Sequence, residues 1–360
     1  MSLNGAPSGY KLLAGLAFAL FCGCSAEGGS SGGVGGGGGN SDATGGAGGS
    51  GNNMGGAGGN VGEYQPVTVA NDGNLYTLQM GHVKMVIDGG VGARITEFSF
   101  DGSNVLTAPA VDLSAGHNNY GSTFWPSPQI WRWPPNTALD TLAYTGTVDT
   151  TSNSIQLVSG NIALVSNSTG AVYANMILTK KFAVVPAMGA VDVTYTIKNL
   201  SPTDPFSVAP WQITRVAGTG GLTFYGKGTD TYTKVKGALT LTDQDNMYWF
   251  PFTSSSVDWK TRSDGVGWIA HVTAGKQLLL LKFPDIQATQ AATGEGEVEL
   301  YTGPNGDYVE IEPQGAYTAV APSGTLEWTV RWTLRQLDSA MAVSVGSAEL
   351  EAFAQQQLAQ

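Results

Sequence analysis

From residue 75 to residue 334 the chain repeats one device. Short runs rich in Val, Ile, Leu, Phe and Tyr are closed by Gly-containing turns, and no convincing helical period lies between them. Leu75–Met80, Val83–Asp88 and Arg94–Phe100 open the series; 173–184, 191–197, 277–283, 297–301, 308–311 and 326–334 continue it. In the last run Leu326, Trp328, Val330 and Trp332 alternate with Glu327, Thr329, Arg331 and Thr333, the two-residue period of a half-buried strand. Phe100-Asp101-Gly102-Ser103 carries the Asp-Gly signal of a tight hairpin, and a second hairpin is expected across Pro186-Ala187-Met188-Gly189. Only the Ala/Gln/Glu-rich segment 338–359 suits a short surface helix. Strands this numerous, with no fixed repeat, predict an all-β fold, a large antiparallel sandwich rather than a propeller or solenoid.

Charged residues make up 12 % of the chain, about half the usual share, and the net charge is −11. That balance excludes a nucleic-acid partner, which needs clustered Lys and Arg, and a basic patch for anionic lipid. The two cysteines, Cys22 and Cys24, lie too close to the start to staple the folded region. The three histidines, His82, His117 and His271, argue against a His-rich metal site, and no phosphate loop, His-Glu-x-x-His or Gly-x-Ser-x-Gly motif occurs. No cofactor and no metal are therefore predicted, although a carboxylate-bound Ca²⁺ stays open.

Residues 12–21 form an apolar run of 10 behind Lys11, the length of a signal-peptide core and short of the ~20 residues that span a bilayer. The following Phe21-Cys22-Gly23-Cys24 resembles a bacterial lipobox. Cys24, preceded by the small Gly23, is the expected lipidation site. An ordinary cleaved signal with incidental cysteines is the alternative. Residues 25–60 hold 18 Gly among 36 positions and no Lys or Arg, so they have too little apolar surface to offset their ordering entropy. A Gly-rich coil of that length spans about 30–36 Å. The expected organisation is a lipoprotein signal at 1–24, a disordered tether at 25–62, a β-sandwich domain at 63–337 and a short helix or tail at 338–360. The expected location is the bacterial cell envelope with the lipid anchor as sole membrane contact. Ser25 and Ala26 lack the Asp of inner-membrane retention, which favours the outer membrane.

Three polar-aromatic clusters stand out in the domain. The first, 117–135, packs Trp125, Trp131 and Trp133 among prolines that argue against a regular central strand. Flat rings beside Asn, Gln and Arg donors suit a sugar, whose C–H faces stack while its hydroxyls need hydrogen-bond partners. A loop plugging one end of the sandwich would use the same residues. The second cluster runs from Asn199 to Arg215 through Ala209-Pro210-Trp211-Gln212, and the third is Val309-Glu310-Ile311-Glu312-Pro313-Gln314-Gly315. Glu310 and Glu312 alternate with Ile311 and so share a face, where like charges raise a pKa if buried together.

Taken in order, these motifs resemble the galactose mutarotase-like superfamily, which includes the aldose 1-epimerases. Gly92-Ala93-Arg94-Ile95-Thr96-Glu97-Phe98 is similar to its early strand, and Gly121-Ser122-Thr123-Phe124-Trp125-Pro126 to the Trp-Pro loop of its hexose-phosphate branch. Thr194 to Asn199 resembles the strand pair leading to the catalytic-His loop, Glu312-Pro313-Gln314 the element carrying the general base, and Pro322-Ser323-Gly324 the turn opening the last strand. The resemblance spans most of 75–335 and is closest to uncharacterised members rather than to authentic epimerases. It implies Glu312 as base. Where the family has His-Pro-Tyr-Phe, this chain has Ala209-Pro210-Trp211-Gln212, and Tyr120 replaces the Arg of the phosphate-sugar branch.

Three readings follow. A carbohydrate-binding sandwich would stack the sugar on Trp125, Trp131 and Trp211 and hold its hydroxyls with Arg94, Gln129, Glu312 and Gln314. An aldose 1-epimerase-like isomerase would use Glu312 as base and His117 as acid, with His82 and His271 weaker candidates. A structural envelope module would simply bury the indoles.

Overall fold

The structure is a computed structural model that describes residues 64–109, 119–128, 137–165, 172–238, 240–253 and 255–360. The export signal, Cys24 and the Gly-rich tether lie outside the described residues, as do His117, Gln129 and Trp131.

The chain begins with an antiparallel meander, β1 (Val67–Asp72), β2 (Leu75–Met80), β3 (Val83–Asp88), β4 (Arg94–Phe100) and the short β5 (Ser103–Asn104), followed by β6 (Ser122–Ser127). A one-turn helix α1 (Thr137–Thr141) leads to β7 (Tyr144–Asp149), β8 (Ser154–Ser159), β9 (Ile162–Val165) and the long hairpin β10 (Val172–Val185) and β11 (Ala190–Asn199). Then come β12 (Phe206–Ala217), β13 (Leu222–Gly226), β14 (Thr233–Lys236), β15 (Thr242–Gln244), β16 (Met247–Pro251) and β17 (Trp259–Ser263). The chain ends with β18 (Trp268–Val272), β19 (Gln277–Lys282), β20 (Val298–Thr302), β21 (Tyr308–Pro313), β22 (Thr318–Val320), β23 (Thr325–Gln336) and helix α2 (Ala348–Leu358).

Among the described residues these strands form two antiparallel sheets. The first runs β1-β2-β3-β4-β6-β12-β21-β20-β17-β14, with β5 on β4 and β22 on β12; the second runs β15-β16-β13-β18-β19-β23-β11-β10-β8-β7, with β9 on β10. The all-β sandwich expected from the strand pattern is the fold observed. Both hairpins form as expected. Asp101 and Gly102 take φ of +48° and +79°, the left-handed pair that matches strand twist, and Gly189 closes the second turn at φ +52°.

Ile95, Phe124, Leu300 and Ile311 of the first sheet interlock with Tyr195, Ile269, Leu281 and Trp332 of the second in one apolar core. Aromatic pairs cross the gap: Phe124 stacks on Tyr195 with centroids 4.2 Å apart, and Phe98 meets Trp332 edge-on at 5.5 Å. A second apolar layer lies between the far side of the second sheet and α2, built from Leu222, Phe224, Trp249, Ala270 and Leu280 against Leu350 and Ala354. Ser347 caps α2 by accepting from the Leu350 N–H at 3.3 Å.

One expectation is corrected. The prolines argue against a regular central strand around Trp125, yet β6 contains Pro126 and lies between β4 and β12. Pro126 sits opposite Pro210, and β4 contacts β6 only at Ile95 and Ser122. With no ladder partner on the β4 side at Pro126, the missing N–H costs no strand pairing.

Candidate functional site

Residues opposite one another in an antiparallel pair share a face, so the register assigns the outward face of the first sheet. Trp125 opposes Trp211 across β6 and β12, Arg215 opposes Glu310 across β12 and β21, Glu312 opposes Glu299 across β21 and β20, and Tyr301 opposes Lys260 across β20 and β17. These side chains turn away from the second sheet. Five of the eight are buried, with Arg215, Glu299 and Glu312 at 1 %, 1 % and 0 % exposure, while Lys260, Tyr301 and Glu310 are half-buried.

Backbone geometry places the first member, Arg94. Gly92, at φ +76°, lies so close to α1 that a Cβ there would approach the Leu139 carbonyl oxygen to 2.6 Å. The close packing brings Asp140 of α1 to the Arg94 guanidinium at 3.2 Å. Arg94 also donates to the Tyr120 carbonyl at 2.7 Å and lies over the Tyr120 ring. From the second sheet, Lys180 donates to the carbonyls of Gly92 and Ala93 at 2.7 and 3.0 Å. Burial, reinforced by the Arg94 charge, pushes the Lys180 ammonium down to about 7.

Asp140 is shared. The Trp125 indole donates to it at 3.1 Å, and the Trp125 and Trp211 rings meet edge-to-face at 5.5 Å. Trp211 donates to Glu312 at 3.1 Å. Lys260 then pairs with Glu312 at 3.1 Å and with Glu299 at 2.6 Å, while its ammonium lies 5.4 Å from the Trp211 ring centroid. Beside this line, Arg215 pairs with Glu310 at 2.8 Å and donates to Thr123 at 3.2 Å. A continuous relay of donors, acceptors and indoles thus runs across six strands and α1, from Arg94 to Glu299.

One ammonium faces two buried carboxyl groups. Burial pushes the Glu312 carboxyl up to about 8; Lys260 opposes that shift, and Glu310 and Glu299 add to it. Burial alone would lower Lys260, but Glu312 and Glu299 hold its proton above the ordinary range. Glu312 is thus a buried carboxyl whose proton affinity is raised, anchored on one side by an ammonium and on the other by an indole N–H.

A cavity of about 220 Å³ lies at the edge of the same sheet, lined by Asp230, Thr233, Arg262, Asp264, Glu295 and Glu297 among others. Arg262 belongs to the outward face, opposite Glu299. Glu295 accepts a hydrogen bond from Ser127 at the end of β6. Glu297 accepts from the N–H groups of Gly265 and Gly267 at 2.7 and 3.1 Å, and burial pushes its carboxyl up to about 8.

Of the sequence-derived residues, Arg94, Trp125, Trp211 and Glu312 are joined in the relay. Gln314 follows on from Glu312, bridges to Trp211 through its backbone and is 1 % exposed, with both amide atoms unpartnered. Trp125 and Trp211 are 5 % and 2 % exposed, so their rings form walls rather than open platforms. His82 pairs with Asp101 on the surface, and His271 lies in the core on the second sheet, so neither reaches Glu312. Lys260, Glu299 and Asp140 escaped the sequence reading, and Arg215 entered it only as the end of the second cluster. The signal for two of them was alternation: Trp259-Lys260-Thr261-Arg262 and Val298-Glu299-Leu300-Tyr301 place polar residues at every second position, and only cross-strand register shows where they converge. Among the described residues, no group of three or more His, Cys, Asp or Glu is arranged to hold a metal ion.

No protein-family model matches the sequence, and no curated protein is similar to it. Solved structures do match. A TPR-domain containing protein from Parabacteroides distasonis aligns with 75 % of this chain and 49 % of its own at 12 % identity and TM-score 0.52. A galactose mutarotase-like protein from Clostridium acetobutylicum aligns over 76 % of this chain and 99 % of its own at 9 % identity, TM-score 0.49. A galactose mutarotase related enzyme from Lactobacillus acidophilus covers 77 % and 100 % at 11 % identity, TM-score 0.49. At such identities the similarity concerns the fold alone.

Proposed function

We propose that the chain is an exported, lipid-anchored protein whose sandwich binds carbohydrate at the outward face of the first sheet. The observation that carries this reading is the juxtaposition of Trp125, Trp211 and Glu312 on that face, linked by the indole-to-carboxylate hydrogen bond of 3.1 Å. A sugar ring offers apolar C–H faces and hydroxyls that both donate and accept. The relay offers indole edges, carboxylates and guanidinium groups, beside a cavity of about 220 Å³. Acidic and basic side chains neutralise each other along the relay, which suits a neutral saccharide better than a phosphorylated one, as does Tyr120 at the position of the phosphate-branch Arg. Cys24 would hold the domain to the envelope through residues 25–62.

The test is a titration of the full-length protein with galactose, glucose and their methyl glycosides, followed by tryptophan fluorescence and calorimetry beside polarimetry of freshly dissolved α-aldose. The expected result is saturable binding weakened tenfold or more by Glu312→Gln, without faster rotation change. No saturable binding to any of these sugars overturns the reading. A second reading is favoured by the elevated Glu312 carboxyl: an aldose 1-epimerase-like isomerase in which Glu312 exchanges the anomeric proton. That enzyme would accelerate the rotation change and lose the acceleration in Glu312→Gln while retaining methyl glycoside binding. For the anchor, Cys24→Ala should move the protein from the detergent phase to the aqueous phase.

A further inference from the structure

A second cavity, of about 270 Å³, shares no lining residue with the relay or with the first cavity. Pro210 of β12 forms its first-sheet wall, Leu326 and Trp328 of β23 its second-sheet wall, and Asp285 and Ile286 after β19 close the end. The turn Ala288–Gln290 stands between the two cavities: Ala288 lines the first, Gln290 the second. Nothing in the proposed sheet-face site uses this space.

We infer that this cavity is an independent subsite for a single neutral saccharide ring. Four observations select that chemistry. Its volume lies below the range of drug-sized pockets and suits one small ring. Its charged lining residues, Asp285 and Glu327, are both acidic and no Lys or Arg lines it, which rejects anions such as sugar phosphates. The Nε1–H of Trp328 is buried and has no hydrogen-bond acceptor in the protein, an unfavourable state that an acceptor would relieve. An ammonium ligand has donors only and could not satisfy it, whereas a sugar hydroxyl accepts from the indole and donates to a carboxylate. Finally, Pro210, Ile286, Leu326 and the indole supply apolar walls for C–H faces.

The surroundings extend the surface outward. Tyr317 stands between Ala316 and Thr318, both of which line the cavity, and its N–H donates to the Gln290 carbonyl at 2.8 Å. Tyr317 and the neighbouring Tyr173 keep 38 % and 42 % exposure, and Val172, next to Tyr173 in the chain, keeps 55 %. Large exposed hydrophobic side chains are few among the described residues, and three gather here. Exposed Tyr pairs are platforms on which a neighbouring residue of an oligosaccharide can stack.

The experiment is calorimetric titration of the full chain with methyl α-D-galactoside, methyl β-D-glucoside and the corresponding disaccharides, in wild type and four variants. Trp328→Phe removes the N–H and keeps a ring, Asp285→Ala and Tyr317→Ala alter exposed positions, and Glu312→Gln addresses the sheet face. The expected result is a binding event that survives Glu312→Gln and weakens tenfold or more in Trp328→Phe and Asp285→Ala; Tyr317→Ala weakens disaccharides more than monosaccharides. Loss of all binding in Glu312→Gln overturns the inference. So does wild-type affinity in both Asp285→Ala and Trp328→Phe, or absence of sugar binding throughout, which would leave water as the partner of Trp328. Binding that ignores Glu312→Gln yet fails in Asp285→Ala upholds this subsite and removes the sheet-face reading, so the two fail separately.

Discussion

The two sheets turn opposite kinds of surface away from the core. On the second, alternation sends Leu222, Phe224, Trp249, Ala270 and Leu280 outward, and α2 covers them with Leu350 and Ala354. On the first, the same alternation sends Lys260, Glu299, Glu312, Arg215 and Glu310 outward, and these are as well buried as the apolar set, apart from the rims of Lys260 and Glu310. Burying apolar area stabilises a fold directly. Burying ion pairs roughly breaks even, because desolvation consumes the attraction. A sandwich selected for stability alone would carry two faces of the first kind. The ionic face is the one whose composition asks for a reason beyond folding.

The largest effect should come from damaging the apolar face. Trp249 is fully buried and stacks on Phe224 at 4.9 Å. Trp249→Ala should cost about 3–5 kcal/mol, read as a lower urea midpoint with unchanged slope. A loss under about 1 kcal/mol would mean that α2 settles into the gap and that this face is not a true second core.

Next in size is the ionic face. Lys260→Met leaves Glu299 and Glu312 buried without their ammonium, which should cost about 3 kcal/mol above pH 8, where Glu312 is ionised. Protonation neutralises the Glu312 carboxyl, so the deficit should shrink as the pH falls below 8. A deficit that stays constant with pH would assign the loss to packing and erase the contrast between the faces.

This contrast was only half legible in the sequence. Alternation in β23 gave the sandwich, and Glu310 and Glu312 could be placed together because they are two positions apart. The partners of Glu312 could not, because Glu299, on the neighbouring strand, and Lys260, 52 residues away, reach it through cross-strand register, which no local pattern encodes. The prolines misled for a related reason: whether Pro126 breaks a sheet depends on whether a strand lies on its N–H side, and here β4 has already diverged. Arg94 was found through its Gly-Ala-Arg context, but Asp140 depends on a close helix approach that Gly92 permits and that sequence does not announce.

The smallest effect separates the sheets by the sign of their pH response. Burial pushes Glu297, beside the first sheet's outward face, up to about 8 from 4.5, so the folded state holds a proton that the unfolded chain releases. Its stabilisation is complete below about 4.5 and is lost as pH rises through 8. His271 of the second sheet, facing the core and bonded through Nδ1 to Thr223 at 2.9 Å, is pushed by burial down to about 4 from 6.5. Its stabilisation is complete above 6.5 and is lost as pH falls through 4. Between 4.5 and 6.5 the two slopes oppose. At pH 5.5, one unit below the ordinary His value, His271 should already have withdrawn about 1.4 kcal/mol. Urea unfolding of His271→Asn from pH 7.5 to 4.5 should therefore decline less with acid than wild type, whereas Glu297→Gln should decline more. Parallel pH curves for wild type and both variants would show that neither group changes protonation on folding, and the opposition between the sheets would then be one of packing only.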